Sequence, residues 1–246
     1  MHNLQSAAQR RGIDLQRPVV RMTQTYDPAS IAMIAAVSPH TMTSPARLVA
    51  LREAVRYVVT AGVPGAFVEC GVWRGGSMMA VARTLTELGP VERELWLYDT
   101  FAGMTPPSAR DRTVDGRDAA DWIPERIGDD VGSAVLAAPL DEVGANLAST
   151  GYPPSLLRFV VGRVEETLAD QRPDHIALLR LDTDFYESTR AALAHLYPLL
   201  APRGVLIIDD YGYWQGAREA VDEYFAACPE FLMRVDRSAR IVIKTS

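Results

Sequence analysis

Five short apolar runs, each closed by a carboxylate or a glycine, limit what this chain can fold into: "GAFVECG", "ELWLYDTF", "LLRFVVG", "HIALLRLDTD" and "GVLIIDDYG". Their apolar residues are contiguous rather than alternating, as in strands buried on both faces. Amphipathic segments follow the first, fourth and fifth runs: "GGSMMAVARTL", "YESTRAALAHLYPLL" and "GAREAVDEYFAAC". Strands alternating with helices predict a parallel sheet covered on both faces, an α/β fold. The tail "FLMRVDRSARIVIKTS" offers two further short strands joined by a polar turn, suited to an antiparallel addition at a sheet edge.

Upstream, "TSPARLVALREAVRYVVTAG" reads as a helix, with Ser44 at the N-cap, Pro45 at the first helical position and Gly62 at the stop. A shorter helix is expected at "DPASIAMIAAV", capped by Asp27 or Ser30. The stretch 104–150 breaks the alternation between the second and third strands, beginning with the polar "TPPSARDRTVDGRDAADWIP" and ending in a weak helical pattern. Connections this long are often lids. The expected organisation is one domain over 1–246, with a helical extension over 1–62 and a lid insertion over 104–150.

A net charge of −6 and an isoelectric point near 5.3 disfavour nucleic acid, which demands a clustered basic face. Cys70 and Cys228 have neither metal-ligand nor CxxC spacing, and Cys70 reads as a small buried hydrophobe. The N-terminus lacks the apolar core of a secretory signal, and no run is long enough to span a membrane, so a soluble cytoplasmic protein is expected.

In "VECGVWRGGS" a strand ends at Glu69, and Gly71, Gly75 and Gly76 lead into a helix, so a ligand can approach bare backbone and the helix N-terminus. The spacing is not GxGxxG, and an acid at the turn repels pyrophosphate. The second strand ends in Asp99, where nucleotide-binding α/β folds place a ribose-gripping acid; the bland reading is that Asp99 caps its own turn. An adenosyl ligand without phosphate is implied, and S-adenosylmethionine fits that description.

"LLRLDTDFYES" places two carboxylates one residue apart after the fourth strand, and "LIIDDYG" ends the fifth in a pair. A helical crossover of this length makes the two strands parallel neighbours, so Asp182, Asp184, Asp209 and Asp210 are expected to converge at the ligand-binding edge. Such a cluster needs a cation or large pKa shifts. Arg180 shares their face but is expected to stay further down the strand. All-oxygen ligands favour Mg²⁺, with Mn²⁺ or Ca²⁺ as alternatives. The competing reading is helix capping, for which Asp184 before "FYESTR" is suitably placed. No role is assigned to Thr183.

"VECGVWRGGS", "YDTFAGM", "LRLDTDFYEST" and "LIIDDYGYWQGAREAVDEYF" resemble the macrocin O-methyltransferase family over roughly residues 37–244. The resemblance implies a Rossmann-like class I methyltransferase fold with a mostly parallel seven-stranded sheet. It also implies methyl transfer from S-adenosylmethionine to a sugar hydroxyl in antibiotic biosynthesis, with dependence on Mg²⁺. It carries Asp182, Asp209 and Asp210 over as metal ligands and Asp184 as general base. It carries Glu69 and Gly71 to the methionine part of the cofactor and Asp99 to its ribose. Thr43 and Ser44 fall on a segment that closes over the cofactor, and Gly162 and Glu166 on one that flanks the adenine. Tyr213 stands where family members often have His.

His175 and His195 lie away from the ligand edge and read as structural, while His40 precedes the closing segment. Trp73, Tyr186, Tyr211, Tyr213 and Trp214 fall near strand ends, where they could stack on a sugar or pack under a lid. "RVDRSAR" reads as a solvated turn. The rival functions are a catechol-type O-methyltransferase and a non-catalytic methyltransferase-like binding protein. The expected partner is a small glycosylated substrate, and a homo-oligomer is expected from the N-terminal helices and aromatic lid.

Overall fold

The apolar runs become five parallel strands: β1 (Ala66–Cys70), β2 (Leu95–Asp99), β3 (Leu157–Val161), β4 (Ile176–Leu181) and β5 (Leu200–Ile208). The two C-terminal strands, β6 (Met233–Arg234) and β7 (Arg240–Ile243), complete a sheet of order β3-β2-β1-β4-β5-β7-β6, in which β7 runs antiparallel to β5 and β6 antiparallel to β7. The computed structural model describes residues 25–89, 93–122 and 136–246. Strand β5 begins at Leu200, four residues before the apolar run suggested, with a register shift against β4.

Side-chain alternation sends each strand's apolar residues to two separate cores. Phe67, Leu97, Leu178 and Ile207 face α1 (Pro28–Val37), α2 (Pro45–Thr60) and α3 (Gly76–Leu88). Val68, Cys70, Leu179, Leu206 and Ile208 pack on the other side against Leu193, Val221 and Phe225. The caps follow local chemistry: Asp27 accepts from Ala29 and Ser30 N–H, and Ser44 Oγ accepts from Arg47 N–H. No helix among the described residues is long and apolar enough to cross a membrane.

The polar stretch that opens the insertion is partly buried. Asp111, Thr113 and Ala119 are buried, and isolated bridges join Arg112 to Asp118 and Thr113 to Trp214. Its later part forms α4 (Leu140–Ala148), shorter than the helical pattern; Val143 and Leu147 close against Gly75, where a Cβ would crowd Leu147 Cδ2 at 2.7 Å. Residues 1–24 of the N-terminal extension and 123–135 of the insertion lie outside the described residues.

Candidate active site

The strand order reverses between β1 and β4, where ligands bind open α/β sheets. Ladder bonds continue past the strand ends there: Gly71 N–H donates to Tyr98 O, Asp182 N–H to Cys70 O and Asp209 N–H to Leu181 O, each at 2.9 Å. This continuation fixes the residues after the strands as firmly as the strands themselves. A cavity of about 380 Å³ opens above them.

On the β2 side, Gly71, Asp99 and Gly162 line the cavity. Asp99 Oδ2 accepts from Val72 and Trp73 N–H at 2.7 and 3.0 Å, and Oδ1 accepts from Phe101 N–H at 2.8 Å. The Phe101 bond is the turn cap of the alternative reading of Asp99, and the Val72 and Trp73 bonds tie Asp99 to the glycine turn around the cavity. Gly71 lies at φ +83°, and a Cβ there would sit 2.0 Å from Asp182 O. Glycine is thus required by the approach of β4's end. Gly76 is likewise required by packing, since a Cβ would sit 2.5 Å from His40 O.

Three residues expected at the cofactor fall elsewhere. Glu69 is fully buried beneath the cavity and does not line it; its Oε1 accepts from Arg180 Nη1 at 2.5 Å. Ser44 is spent on its helix cap and on Asp236. Glu166 is exposed, because the short helix α5 (Val164–Thr167) turns its neighbour Glu165 to the cavity wall instead. Glu165 Oε2 is buried with no partner among the described residues. Thr43 does line the cavity, its hydroxyl accepting from Arg180 Nη2 at 3.0 Å.

On the β4–β5 side the carboxylates converge as expected. One oxygen from each of Asp182, Asp209 and Asp210 falls within a 4.8 Å cluster. Asp184 lines the same cavity at φ +59°, a left-handed conformation that Asp tolerates better than most residues. It does not cap α6 (Tyr186–Leu196): the first free amide, Tyr186 N–H, donates to Asp111 Oδ1 of the insertion at 2.8 Å. The capping alternative for Asp184 is thereby removed. Trp214 Nε1 holds Asp184 Oδ1 at 2.7 Å, and the Trp214 ring meets Phe185 edge-on at 5.5 Å.

Arg180 is a second correction. Rather than staying down the strand, its buried guanidinium reaches Glu69, Asp182 Oδ2 at 2.8 Å and Asp209 Oδ1 at 2.7 Å. A further cation was invisible in the two aspartate motifs: Arg47, from the first turn of α2, binds Asp209 Oδ2 and also Asp236 Oδ2, the latter at 2.8 Å. The "RVDRSAR" turn is therefore not simply solvated, since Asp236 joins the site and Ser238 Oγ donates to Asp209 O at 2.7 Å. Only the reach of Arg47 across the fold links it to these acids, so no local motif could have revealed it.

The acids still outnumber the two guanidinium groups. Burial first, and then the Asp182 charge, push Asp184 up to about 8, while the Trp214 bond pulls it back. Burial and the Asp184 charge raise Asp210 well above the carboxylate range, and its Oδ2 is buried without a partner among the described residues. Arg180 stays charged: the attraction of Asp182, Asp209 and Glu69 overcomes its burial. An orphaned buried oxygen within a set of hard oxygen donors fits a small divalent cation.

His175 lies at the start of β4 and His195 in α6 near Arg172, both away from the cavity. Tyr213, Trp214 and Trp73 line the cavity, whereas Tyr186 and Tyr211 hydrogen-bond to Glu223 and Asp222 outside it.

The sheet order, the reversed last strands and a cavity over the β1–β4 switch point define a class I methyltransferase fold. The family model described as macrocin-O-methyltransferase (TylF) matches residues 16–240, and the chain belongs to this family of enzymes. It is 40% identical over 185 residues to the 8-demethyl-8-(2,3-dimethoxy-alpha-L-rhamnosyl)-tetracenomycin-C 4'-O-methyltransferase of Streptomyces olivaceus, covering 75% of this chain and 67% of the relative. It is 34% identical to the demethyldecarbamoylnovobiocin O-methyltransferase of Streptomyces niveus, over 80% and 73% of the two chains. Among solved structures, the O-methyltransferase NovP superposes with a TM-score of 0.74 at 32% identity, over 84% of this chain and 83% of NovP.

Proposed function

We propose that this O-methyltransferase transfers the methyl group of S-adenosylmethionine to a sugar hydroxyl of a glycosylated natural product. In this reading Asp182, Asp209 and Asp210 hold a divalent cation, Mg²⁺ foremost, and Asp184 is the general base. The observation that carries it is the convergence of three carboxylate oxygens within 4.8 Å beside an Asp184 that caps nothing. The names of the relatives, which describe methylation of tetracenomycin, novobiocin and mycinamicin compounds, support the acceptor class. Solved O-methyltransferases of similar fold in complex with SAM or SAH support the donor.

A sugar hydroxyl is a poor nucleophile at neutral pH. A divalent cation, when bound, supplies Lewis acidity that lowers the hydroxyl's pKa. Asp184 then takes the proton. Its Oδ1 is fixed by Trp214, which leaves Oδ2 as the accepting atom and sets the carboxylate's direction. Asp99, anchored by two amides of the glycine turn and by Phe101 N–H, offers its remaining lone pairs to the ribose. Glu165, with a buried oxygen that has no partner among the described residues, suits the exocyclic amine of the adenine. In-line displacement at the methyl carbon requires donor and acceptor in one enclosure, and the cavity over the switch point joins the Asp99 and Asp184 sides.

The test is transfer of labelled methyl from S-adenosylmethionine to a panel of glycosylated aromatic and macrolide compounds, with and without chelator. Label on a sugar oxygen that disappears with chelator and with Asp182→Asn is the expected result. Full turnover in chelator would remove the metal from the reading. Failure to label any glycoside, with S-adenosylmethionine binding intact, would remove the sugar acceptor.

A further inference from the structure

Both oxygens of Asp209 are already engaged, Oδ1 by Arg180 and Oδ2 by Arg47. The two arginines are not equivalent. Arg180 is sealed in the interior, its side chain 2% exposed, and its Nη groups are spent on Glu69, Asp182, Asp209 and the Thr43 hydroxyl. Arg47 is 18% exposed on the cavity wall and straddles two carboxylates, Asp209 through Nη1 and Asp236 through Nε. Asp236 is a seat prepared for this purpose. Its other oxygen accepts from Ser238 and Ala239 N–H, both at 2.8 Å. Although its burial acts to raise it, the Arg47 bond and those amides hold its carboxyl down at about 2. A guanidinium that loses Asp209 therefore keeps an ionised partner and a hydrogen bond. A divalent cation and a guanidinium both held on Asp209 Oδ2 repel each other strongly where water is sparse, so each weakens the other's hold.

We infer that Arg47 is a resident counter-ion that a divalent cation displaces from Asp209, with Asp236 as the seat on which it then rests. This rests on the metal reading above and goes beyond it. Arg47 acts through Asp209 and is a positioning residue. It sets cation affinity by competing for a ligand atom, and it keeps the site from repelling itself apart when no cation is bound.

The test is a double-mutant cycle read by Mn²⁺ binding, measured from the loss of the free-ion electron paramagnetic resonance signal in the presence of S-adenosylhomocysteine. Arg47→Gln is expected to tighten Mn²⁺ binding at least fivefold. Asp236→Asn is expected to weaken it several-fold in the native background, because Arg47 then has only Asp209. In the Arg47→Gln background Asp236→Asn is expected to change it less than twofold, since the seat has nobody to hold. A simple field effect gives the same Asp236→Asn loss in both backgrounds, and that result overturns the inference, as does unchanged or weaker binding in Arg47→Gln. If wild-type protein binds no Mn²⁺, the metal reading falls and takes the inference with it; a wild-type signal with an additive cycle sinks the inference alone. Thermal melts check folding. Should Arg47→Gln not fold, Arg47→Met gives the same cycle, because it keeps much of the buried stem and removes the charge.

Discussion

Trp214 Nε1 donates to Asp184 Oδ1 at 2.7 Å, so the side chain that closes the β5 loop sets the direction of the carboxylate that follows β4. This bond favours the ionised form and opposes the burial that pushes Asp184 up to about 8. Trp214→Phe keeps a ring against Phe185 and removes the donor. A base must be ionised to work, so the acid limb of the kcat/KM against pH profile is expected to move to higher pH. A hydrogen bond to a charged group contributes roughly 1.5 kcal/mol or more, which corresponds to about a tenfold loss of kcat at neutral pH. An unshifted acid limb would detach Asp184 from the rate-limiting proton transfer.

Asp210 is costly when no cation is present, with one oxygen buried and without a partner among the described residues and its carboxyl held well above the usual range by burial. A raised acid pKa destabilises the fold increasingly as pH climbs past the unfolded value near 4. Asp210→Asn removes that charge and is expected to raise Tm in chelator at pH 8 by about 2–4 °C, for roughly 1 kcal/mol in a chain of this size. The same variant should lose the stabilisation that a cation gives wild type. At a hundredfold excess over Kd that is about 2.7 kcal/mol, or roughly 5–10 °C. Calorimetric scans of both proteins, with Mg²⁺ and with chelator, check the crossover.

The sheet was legible because burial on both faces writes itself into contiguous apolar runs, and because one helix between "LLRLDTD" and "LIIDDYG" leaves only one common placement of their ends. Gly71 and Asp99 were placed at the cavity by the same logic. What failed was orientation and reach. Glu69 was expected to face a ligand, yet strand alternation turns it to Arg180, whose length carries its charge up among the carboxylates. Arg47 and Asp236 lie 189 residues apart and meet only because α2 crosses the end of β5. Their pairing leaves no periodic or local trace. The insertion hid Asp111 in a polar stretch, although it supplies the helix cap that Asp184 was suspected of supplying.

Gly71 separates steric from conformational demands on a glycine. Its positive φ alone costs an alanine roughly 1–2 kcal/mol, and Gly151, at φ +76° with open space where a Cβ would stand, serves as that reference. At Gly71 a Cβ would meet the Asp182 carbonyl at 2.0 Å, backbone against backbone, with no flexible side chain to yield. Gly71→Ala is therefore expected to cost at least about 2 kcal/mol more than Gly151→Ala in urea unfolding, and to abolish activity by displacing Asp182. Equal losses for the two variants would show that the strand ends can part at little cost.

Glu165 and Glu166 are adjacent and chemically identical, so they isolate the effect of facing the cavity. Glu165 lines it, with Oε2 buried and without a partner among the described residues, and Arg163 Nη2 stands 3.8 Å from Oε1. Glu166 points to solvent. If the adenine amine satisfies the buried oxygen, Glu165→Gln presents an amide that can donate where an acceptor is needed, and each lost charge-assisted bond costs about 1.5–3 kcal/mol. Calorimetric titration with S-adenosylhomocysteine is expected to give a Kd at least tenfold weaker for Glu165→Gln and unchanged within twofold for Glu166→Gln. The reverse order would return the adenine contact to Glu166 and require α5 to rotate on binding.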